Sequence, residues 1–380
     1  MAHYPENAEI ARILERHVIE AQVAPAAAAG YISVRGDGAV GATGQLPGTS
    51  SQAERSAATS TLFDLASVSK PIVACTLMRL VTRGLLGLET PLGDVLPEAR
   101  RTPSEPVPLE SFLAHRAGLD GHRPLFAPVL AALPFQRARA LEVAARARRP
   151  DCSGEPPAQG FPPLYSDLGY LLLGAAIEAV LQRPLDSVIQ SELSEPLGLE
   201  LGSARQLRYR RRDFDASVAP TETVRARGGQ VRGVVHDENA WALAGHAASG
   251  HAGMFGTVHD VLGLGAALLQ ALAGQSAWLP AGAVARLITP RPGGTLRAGF
   301  DGKSEAASSA GSRASAGAFG HLGFTGTSLW CDPTAGAATV LLTNRVCPTR
   351  DNPRIRAARP AVHDALFSAV RPVLPVAPNP

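Results

Sequence analysis

The stretch Leu62-Phe-Asp-Leu-Ala-Ser67-Val-Ser-Lys70-Pro71 decides the fold prediction, because it joins a short apolar strand to a serine and then to a helix. Pro71 suits the first turn of a helix, where its missing N–H costs no hydrogen bond. Ser67 is therefore predicted at a helix N-terminus, where backbone N–H groups favour a developing negative charge. Lys70 lies one turn further along the same face and can reach the serine oxygen.

Lysine is rare in this chain, since Lys70 and Lys303 are the only two and every other basic residue is an arginine. A desolvated lysine can lose its proton, whereas arginine effectively cannot. A lysine beside a serine therefore indicates a proton acceptor next to a nucleophile. Because Ser-x-x-Lys alone also describes a capping serine with a surface lysine, the rest of the chain has to decide.

The composition is that of a globular protein with one large core or two lobes. Hydrophobic residues make up 45% of the 380 positions and charged residues 18%, which argues against a disordered polymer. A net charge of +3 is too small to indicate a nucleic-acid partner. No run reaches the ~18 to 20 uncharged apolar residues of a membrane span. Charges within the first thirty residues disfavour a signal peptide, so we expect a cytoplasmic protein without a membrane partner.

No metal or organic cofactor is expected from the sequence. The cysteines are widely spaced and form no metal-type pair; they are Cys75, Cys152, Cys331 and Cys347. Four histidines lie close in sequence but lack the helical spacing of a zinc protease; they are His236, His246, His251 and His259. The chain contains neither a Gly-x-Ser-x-Gly elbow nor a glycine-rich phosphate loop.

Hydrophobic patterns predict strands near both ends of the chain and helices between them. Helices are predicted over residues 8–22, 71–83, 360–370 and, after an N-cap at Thr257 with Asp260 as its partner, up to about Leu272. Strands are predicted over residues 30–35, 62–65, 319–323, 327–331 and 338–343, with a turn-rich stretch at 41–60 and a proline-rich tail. This order indicates an α+β fold with an α/β lobe at about 1–70 and 300–372 and a helical lobe at about 71–299.

Two further motifs follow Ser67-Val-Ser-Lys70 in order: Tyr165-Ser166-Asp167 and His321-Leu322-Gly323. With them the chain resembles the superfamily of class C β-lactamases, penicillin-binding proteins and related esterases, whose motifs are Ser-x-x-Lys, Tyr-x-Asn, and Lys-Thr-Gly or His-x-Gly. Similar stretches at 113–119, 250–256 and 320–328 extend the likeness over nearly the whole chain. The resemblance implies a β-lactamase/transpeptidase-like fold, in which an antiparallel sheet from both termini carries an inserted helical lobe.

The resemblance also implies roles for these residues. Ser67 would be the nucleophile, Lys70 its proton acceptor, and Tyr165 a partner base and then the acid for the leaving group. The N–H groups of Ser67 and Phe324 would form the oxyanion hole. His321 would supply positive character or bind substrate. The implied substrate-binding residues are Asp167, His321, Gly323 and Phe324. Packing roles for Tyr165 and His321 remain open alternatives.

Departures from the family motifs favour an esterase-like member over a dedicated lactamase. Asp167 stands where asparagine is usual, and His321 and Leu322 replace lysine and threonine. The expected activity is hydrolysis of a small-molecule ester or amide through an acyl-enzyme on Ser67; a β-lactamase, a peptidase and a non-catalytic scaffold are the alternatives. Because a carboxylate at Asp167 repels anionic substrates unless it is turned aside or paired, small neutral esters are expected to be preferred. The sequence leaves the oligomeric state undetermined.

Overall fold

The computed structural model describes residues 3–48 and 55–370. The predicted proline-rich tail and part of the predicted turn-rich stretch lie outside these residues. The strands are β1 Ala26–Ser33, β2 Gly38–Leu46, β3 Arg55–Ser56, β4 Phe63–Asp64, β5 Gly202–Ser203, β6 Thr223–Val224, β7 Gly229–Gln230, β8 Met254–Gly256, β9 Asp301–Gly302, β10 Phe319–Leu322, β11 Ser328–Asp332 and β12 Ala337–Thr343. The α-helices are α1 Ala8–Leu14, α2 Ser69–Thr82, α3 Leu92–Val95, α4 Leu109–Leu113, α5 Ala127–Leu130, α6 Arg137–Arg146, α7 Asp167–Leu181, α8 Leu185–Ile189, α9 Ala204–Arg210, α10 Phe214–Ser217, α11 Glu238–Ala244, α12 Val258–Leu272, α13 Ala281–Ile288 and α14 Ile355–Ala369.

A seven-stranded antiparallel sheet is built from both ends of the chain, as predicted. Its strand order is β3-β2-β1-β12-β11-β10-β9, so strands from the first sixty residues and from the last eighty meet at the β1–β12 pair. The register of this pair places Ala29 opposite Leu341 and Gly30 opposite Val340. Strand β10, which carries the third motif, lies next to the short edge strand β9.

Helices cover both faces of the sheet, because successive side chains of each strand point to opposite sides. Ala27 and Ala29 of β1 belong to a core shared with α1 and α14, whereas Ala26 and Ala28 belong to the larger core that includes α12. Alanine at these positions lets the helices approach the sheet closely. The same alternation therefore fixes which face each terminal helix covers.

Several predicted elements are confirmed with shifted ends. Helix α2 begins at Ser69, with Pro71 in its first turn, and Ser67 lies in the 3-10 turn Ala66–Val68 that leads into it. Helix α12 begins with the predicted capping arrangement, in which Thr257 and Asp260 bond to each other's backbone N–H groups. Helix α14 begins at Ile355, five residues before the predicted start at Pro360, so that this proline lies inside the helix.

One local prediction is wrong, since residues 41–46 belong to strand β2 rather than to a turn-rich stretch. Glycine and threonine at these positions suggested a loop, but pairing with β1 holds the segment extended. The predicted division into two lobes stays a prediction. Helix α12, which falls within the range assigned to the helical lobe, packs on β12, β1 and β11.

A search of the described residues for membrane-spanning helices finds no single helix that is long and apolar enough. One bent pair, Asp167–Leu181 with Leu185–Ser194, passes on length and composition alone.

Candidate active site

A strained turn presents Ser67 at the surface of a cleft. Ala66 has a φ of +47°, an unusual conformation for a residue with a side chain. The buried carboxylate of Asp64 accepts hydrogen bonds from the Ala66 N–H at 2.8 Å and from the His236 N–H at 2.6 Å. These bonds hold the turn, and Ser67 remains partly exposed at its tip.

The turn after β10 is tied to the same segment. The Thr325 hydroxyl donates to the Asp64 carbonyl at 2.7 Å, and the Thr327 hydroxyl donates to the Leu65 carbonyl at 2.9 Å. Gly323 has to be glycine here, because an added Cβ would lie 1.9 Å from Thr327 Oγ1 and 2.6 Å from the Leu65 carbonyl oxygen.

The two N–H groups expected to form the oxyanion hole are available for a ligand. Neither the Ser67 N–H nor the Phe324 N–H donates a hydrogen bond to another residue that the structure describes. Both residues line the same cleft.

Lys70 lies behind Ser67 with its side chain fully buried. Its Nζ donates to Ser67 Oγ at 3.0 Å, to Asp167 Oδ1 at 2.6 Å and to the His251 carbonyl at 3.3 Å. An ammonium has three N–H donors, and the three oxygens match them in number. The site thus contains a serine–lysine contact together with a lysine–carboxylate ion pair.

Lys70 does not have the charge state that the sequence predicted, namely an amine that has lost its proton because it is buried. Burial does favour the neutral amine, but the Asp167 carboxylate and the Tyr165 hydroxyl outweigh it and raise the pKa of Lys70 above its usual value. Lys70 is therefore an ammonium at neutral pH. The Asp167 side chain is 23% exposed and faces the cleft.

Tyr165 also lines the cleft, with its ring centroid 4.8 Å from the Lys70 ammonium. Burial raises the pKa of its hydroxyl, although the charge of Lys70 and hydrogen bonds with Lys70 and Ser67 act in the opposite direction. The neutral phenol can donate a proton. His115 packs against the Tyr165 ring at 4.7 Å and accepts a hydrogen bond from the Ser166 N–H at 3.0 Å, which fixes the loop.

His321 does not supply the positive character expected of it. Burial and the nearby Lys70 charge lower the pKa of its imidazole to about 3, so the ring is neutral at physiological pH. Its Nδ1 lies 2.9 Å from the Leu322 carbonyl, an acceptor, so this nitrogen carries the proton. The ring centroid is 6.0 Å from that of Tyr165, behind the cleft surface.

The cleft has a volume of about 770 Å³ and is also lined by arginines that the sequence analysis did not single out. These arginines are Arg345, Arg350, Arg356 and Arg359. Arg350 is neutralised by ion pairs to Glu222 and Glu238. No carboxylate of the described residues lies within 4.0 Å of the other three, although Asp237 and Asp351 also line the cleft. Arg359 is buried and donates to the Gly323 and Thr327 carbonyls, whereas Arg356 is exposed. The density of arginine between Asn344 and Arg359, directly after the last strand, was the signal for them in the sequence.

Phe324 forms an exposed aromatic edge of the cleft. Its side chain is 49% exposed, stacks on the His236 ring at 5.7 Å and lies 4.5 Å from the Arg345 guanidinium carbon. The cleft therefore combines hydrogen-bond donors, an aromatic surface and positive charge. A search of the described residues finds no group of three or more side chains that could hold a metal ion.

Comparisons with known proteins show the family and the fold of the chain. The family model described as Beta-lactamase matches residues 14–363. The N-acetylmuramyl-L-alanine amidase of Bacillus subtilis (strain 168) is 29% identical over 327 residues, which cover 78% of this chain and 72% of that protein.

Two solved structures show the same fold at low sequence identity. EstCE1, described as a hydrolase with promiscuous acyltransferase activity, superposes with a TM-score of 0.69 at 21% identity, covering 95% of this chain and 98% of that chain. A class C β-lactamase from Rhodobacter sphaeroides superposes with a TM-score of 0.67 at 19% identity, covering 95% and 100%.

Proposed function

The chain belongs to the beta-lactamase family of serine hydrolases, and from this premise we propose that Ser67 is the nucleophile that takes up the acyl group of an ester or amide. The observation that carries the proposal is the 3.0 Å contact between Ser67 Oγ and Lys70 Nζ, beside the N–H groups of Ser67 and Phe324, for which the described part of the chain offers no acceptor. Geometry of this kind positions a nucleophile and stabilises the charge that its attack creates.

The proposed reaction has two halves. In the first, Ser67 Oγ bonds to the acyl carbon, the N–H groups of Ser67 and Phe324 hold the oxyanion, and Tyr165 protonates the leaving group as its bond to carbon breaks. In the second, water attacks the acyl-enzyme and releases the acid and free Ser67. An ammonium has no lone pair, so the proton leaving Ser67 needs a final acceptor other than Lys70 alone.

Covalent labelling tests the nucleophile. A fluorophosphonate probe should add its mass to the wild-type protein and fail to label Ser67→Ala. Ser69→Ala is a matched control, because the Ser69 hydroxyl is buried and accepts the Met254 N–H at 3.2 Å instead of facing the cleft. Labelling that survives Ser67→Ala would remove the assignment. Intact-mass spectra with esters, short peptides and β-lactams also decide between an enzyme and a non-catalytic scaffold.

Small neutral esters are the first substrate class that we propose, since esters have better leaving groups than amides. The charge argument for them is weaker than the sequence implied, because Asp167 is paired with Lys70 and does not stand free in the cleft. Kinetics with p-nitrophenyl acetate or butyrate beside nitrocefin measure the preference. If nitrocefin gave the larger kcat/KM by at least an order of magnitude, the lactamase alternative would replace this proposal.

A second candidate is an amide substrate with an anionic end, and it is favoured by the exposed Arg356, which lines the cleft and pairs with no carboxylate of the described residues. The named activity of the Bacillus subtilis relative is cleavage of an amide. We expect Arg356→Gln to raise KM for short peptides with a free carboxylate by about tenfold, the scale of one charge-assisted hydrogen bond. The same change should leave p-nitrophenyl acetate hydrolysis nearly unaffected.

Arg354→Gln is the matched control, because Arg354 donates to Gln22 and lies outside the cleft lining. An equal rise in KM for the neutral ester and the anionic peptide would contradict a charge-based role of Arg356.

A further inference from the structure

Within residues 3–48 and 55–370, Lys70 is the one charged group that forms an ion pair with Asp167. Its Oδ1 lies 2.6 Å from Lys70 Nζ, which in turn lies 3.0 Å from Ser67 Oγ. The three side chains therefore form a continuous hydrogen-bonded line. The asparagine usual in the family motif could bond to the lysine in the same place but could not take up a proton.

We propose that Asp167 is the final acceptor of the Ser67 proton and that Lys70 passes this proton on. The proposal rests on Ser67 being the nucleophile. As Ser67 Oγ bonds to the acyl carbon, its proton moves to Lys70 Nζ while a second proton moves from Lys70 Nζ to Asp167 Oδ1. Lys70 remains an ammonium throughout. When Tyr165 gives its proton to the leaving group, Lys70 passes a proton to the neighbouring Tyr165 oxygen and takes the proton back from Asp167, so all three groups regain their starting states. Because Asp167 acts through Lys70, it is a positioning residue rather than a group that touches the substrate.

Conservation of charge within the site favours this path. The negative charge leaves Asp167 as it appears on the oxyanion, so the buried Lys70 ammonium faces one negative charge at every stage. Creating a free amine from an isolated ammonium would instead require moving a proton out to solvent, which a low-dielectric site makes costly.

Local structure holds the Asp167 carboxylate next to Lys70. Asp167 is the first residue of the fifteen-residue helix α7, whose N-terminus favours a negative charge. The Asp167 N–H donates to the Gly121 carbonyl at 2.9 Å, and the preceding Ser166 caps the helix by accepting the Gly169 N–H.

The other titratable groups around Lys70 and Asp167 are either neutral at pH 7 or make no contact with Lys70. The groups that face Lys70 and Asp167 are Tyr165, Tyr170, His115, His321 and Asp237. Burial raises the pKa of both tyrosines and lowers the pKa of both histidines, so all four are neutral at pH 7. Asp237 bonds to His251 Nε2 at 2.8 Å and does not contact Lys70.

The charge of Lys70 can be measured directly, without substrate, because the chain has only two lysines. Protein labelled with 13C at the lysine ε-carbon gives two NMR signals, and Lys303→Arg assigns them. We expect the Lys70 signal of the wild type to remain that of an ammonium up to pH 10 or the pH of unfolding. In Asp167→Asn it should change to that of an amine at least about two pH units lower, because burial then acts unopposed. Identical titrations in the two proteins would overturn the proposal.

Proton transfer is tested by the pH dependence of Ser67 acylation, followed as mass gain from an excess of fluorophosphonate. Asp167→Asn should acylate at least about 100-fold more slowly at pH 6 than the wild type, the scale of a lost general base. Its rate should recover as pH rises, with the acid limb displaced upward by at least one unit, since Lys70 must then become an amine. Asp167→Glu, which keeps a carboxylate, should recover part of the loss at pH 6.

Asp351→Asn is the matched control, because it removes an exposed carboxylate from the rim of the cleft, away from Lys70, and should keep the wild-type acid limb. If Asp167→Asn lowered the rate of Ser67 acylation by the same factor at every pH, Asp167 would have a structural role and the proposed proton transfer through Lys70 would be overturned. Absence of labelling on wild-type Ser67 would instead refute the nucleophile, while the NMR titration would still decide whether Asp167 sets the charge of Lys70.

Discussion

The Lys70 side chain lies between the Ser67 hydroxyl and the Asp167 carboxylate. A substitution can separate its two properties, which are its positive charge and its ability to transfer a proton. Lys70→Arg keeps the charge but cannot transfer a proton, because guanidinium is not deprotonated in proteins. We expect kcat/KM on p-nitrophenyl acetate to fall at least about 100-fold. Lys303→Arg is the control, since Lys303 Nζ donates to the Ala314 carbonyl and Lys303 is not part of the cleft lining. Near-normal turnover of Lys70→Arg would leave Lys70 with an electrostatic role alone.

At the scale of elements, the packing of the loop before β8 against helix α7 positions two groups that contact Lys70. Gly250 lies so close to α7 that an added Cβ would be 1.8 Å from the Tyr170 carbonyl oxygen and 2.9 Å from the Gly174 N. The next residue, His251, supplies its carbonyl to Lys70, and Asp167 begins α7. The approach of these elements therefore affects both stability and the site.

We expect Gly250→Ala to lower the free energy of unfolding by about 1–3 kcal/mol, the usual cost of overpacking. Gly282→Ala is a matched control within helix α13, because no atom lies within 4 Å of the added Cβ. It should leave stability unchanged or raise it by up to about 0.5 kcal/mol, because Gly282 lies in the first turn and alanine's full advantage belongs to a helix interior. Urea denaturation of the two variants measures both effects, and changes of equal sign would contradict the packing argument.

At the scale of the whole molecule, three buried histidines link stability to pH. Burial lowers the pKa of His321 and of His363 to about 3, and lowers that of His115 well below its usual value. His363 lies between the hydroxyls of Ser328 and Thr339, at 2.8 and 2.9 Å, where it joins α14 to the sheet. His321 and His363 stay neutral in the folded protein at pH 5, and His115 resists protonation in the folded protein. Histidines of the unfolded chain, in contrast, become protonated below about pH 6.5.

The stability that these histidines contribute is thus complete above about pH 6.5 and is lost as the pH falls below it. Each one contributes a loss of up to about 1.4 kcal/mol per pH unit. Thermal unfolding should therefore show a clearly lower Tm at pH 5.0 than at pH 7.5. His363→Gln should reduce the difference in unfolding free energy by about a third, because one of the three groups no longer titrates. An unchanged Tm between the two pH values would contradict the prediction.

Local chemistry was sufficient to predict several parts of the molecule from the sequence. Ser67 and Lys70 are three residues apart across a 3-10 turn and the start of a helix, so their spacing in the sequence predicts that the two side chains can reach each other. The capping of α12 by Thr257 is equally local. Strands at both ends of the chain predicted a sheet built from the two termini, since apolar β-segments have to pair somewhere.

Only the tertiary structure decided which distant groups meet. Asp167 pairs with a lysine 97 residues earlier, and this contact makes Lys70 an ammonium where burial alone would favour an amine. The segment after β12 is rich in arginine in the sequence, but only the fold shows that Arg345, Arg356 and Arg359 reach the cleft. The physical reason is that pKa values and substrate charge preference depend on distances set by the chain path, whereas sequence patterns report only neighbours within one turn or strand.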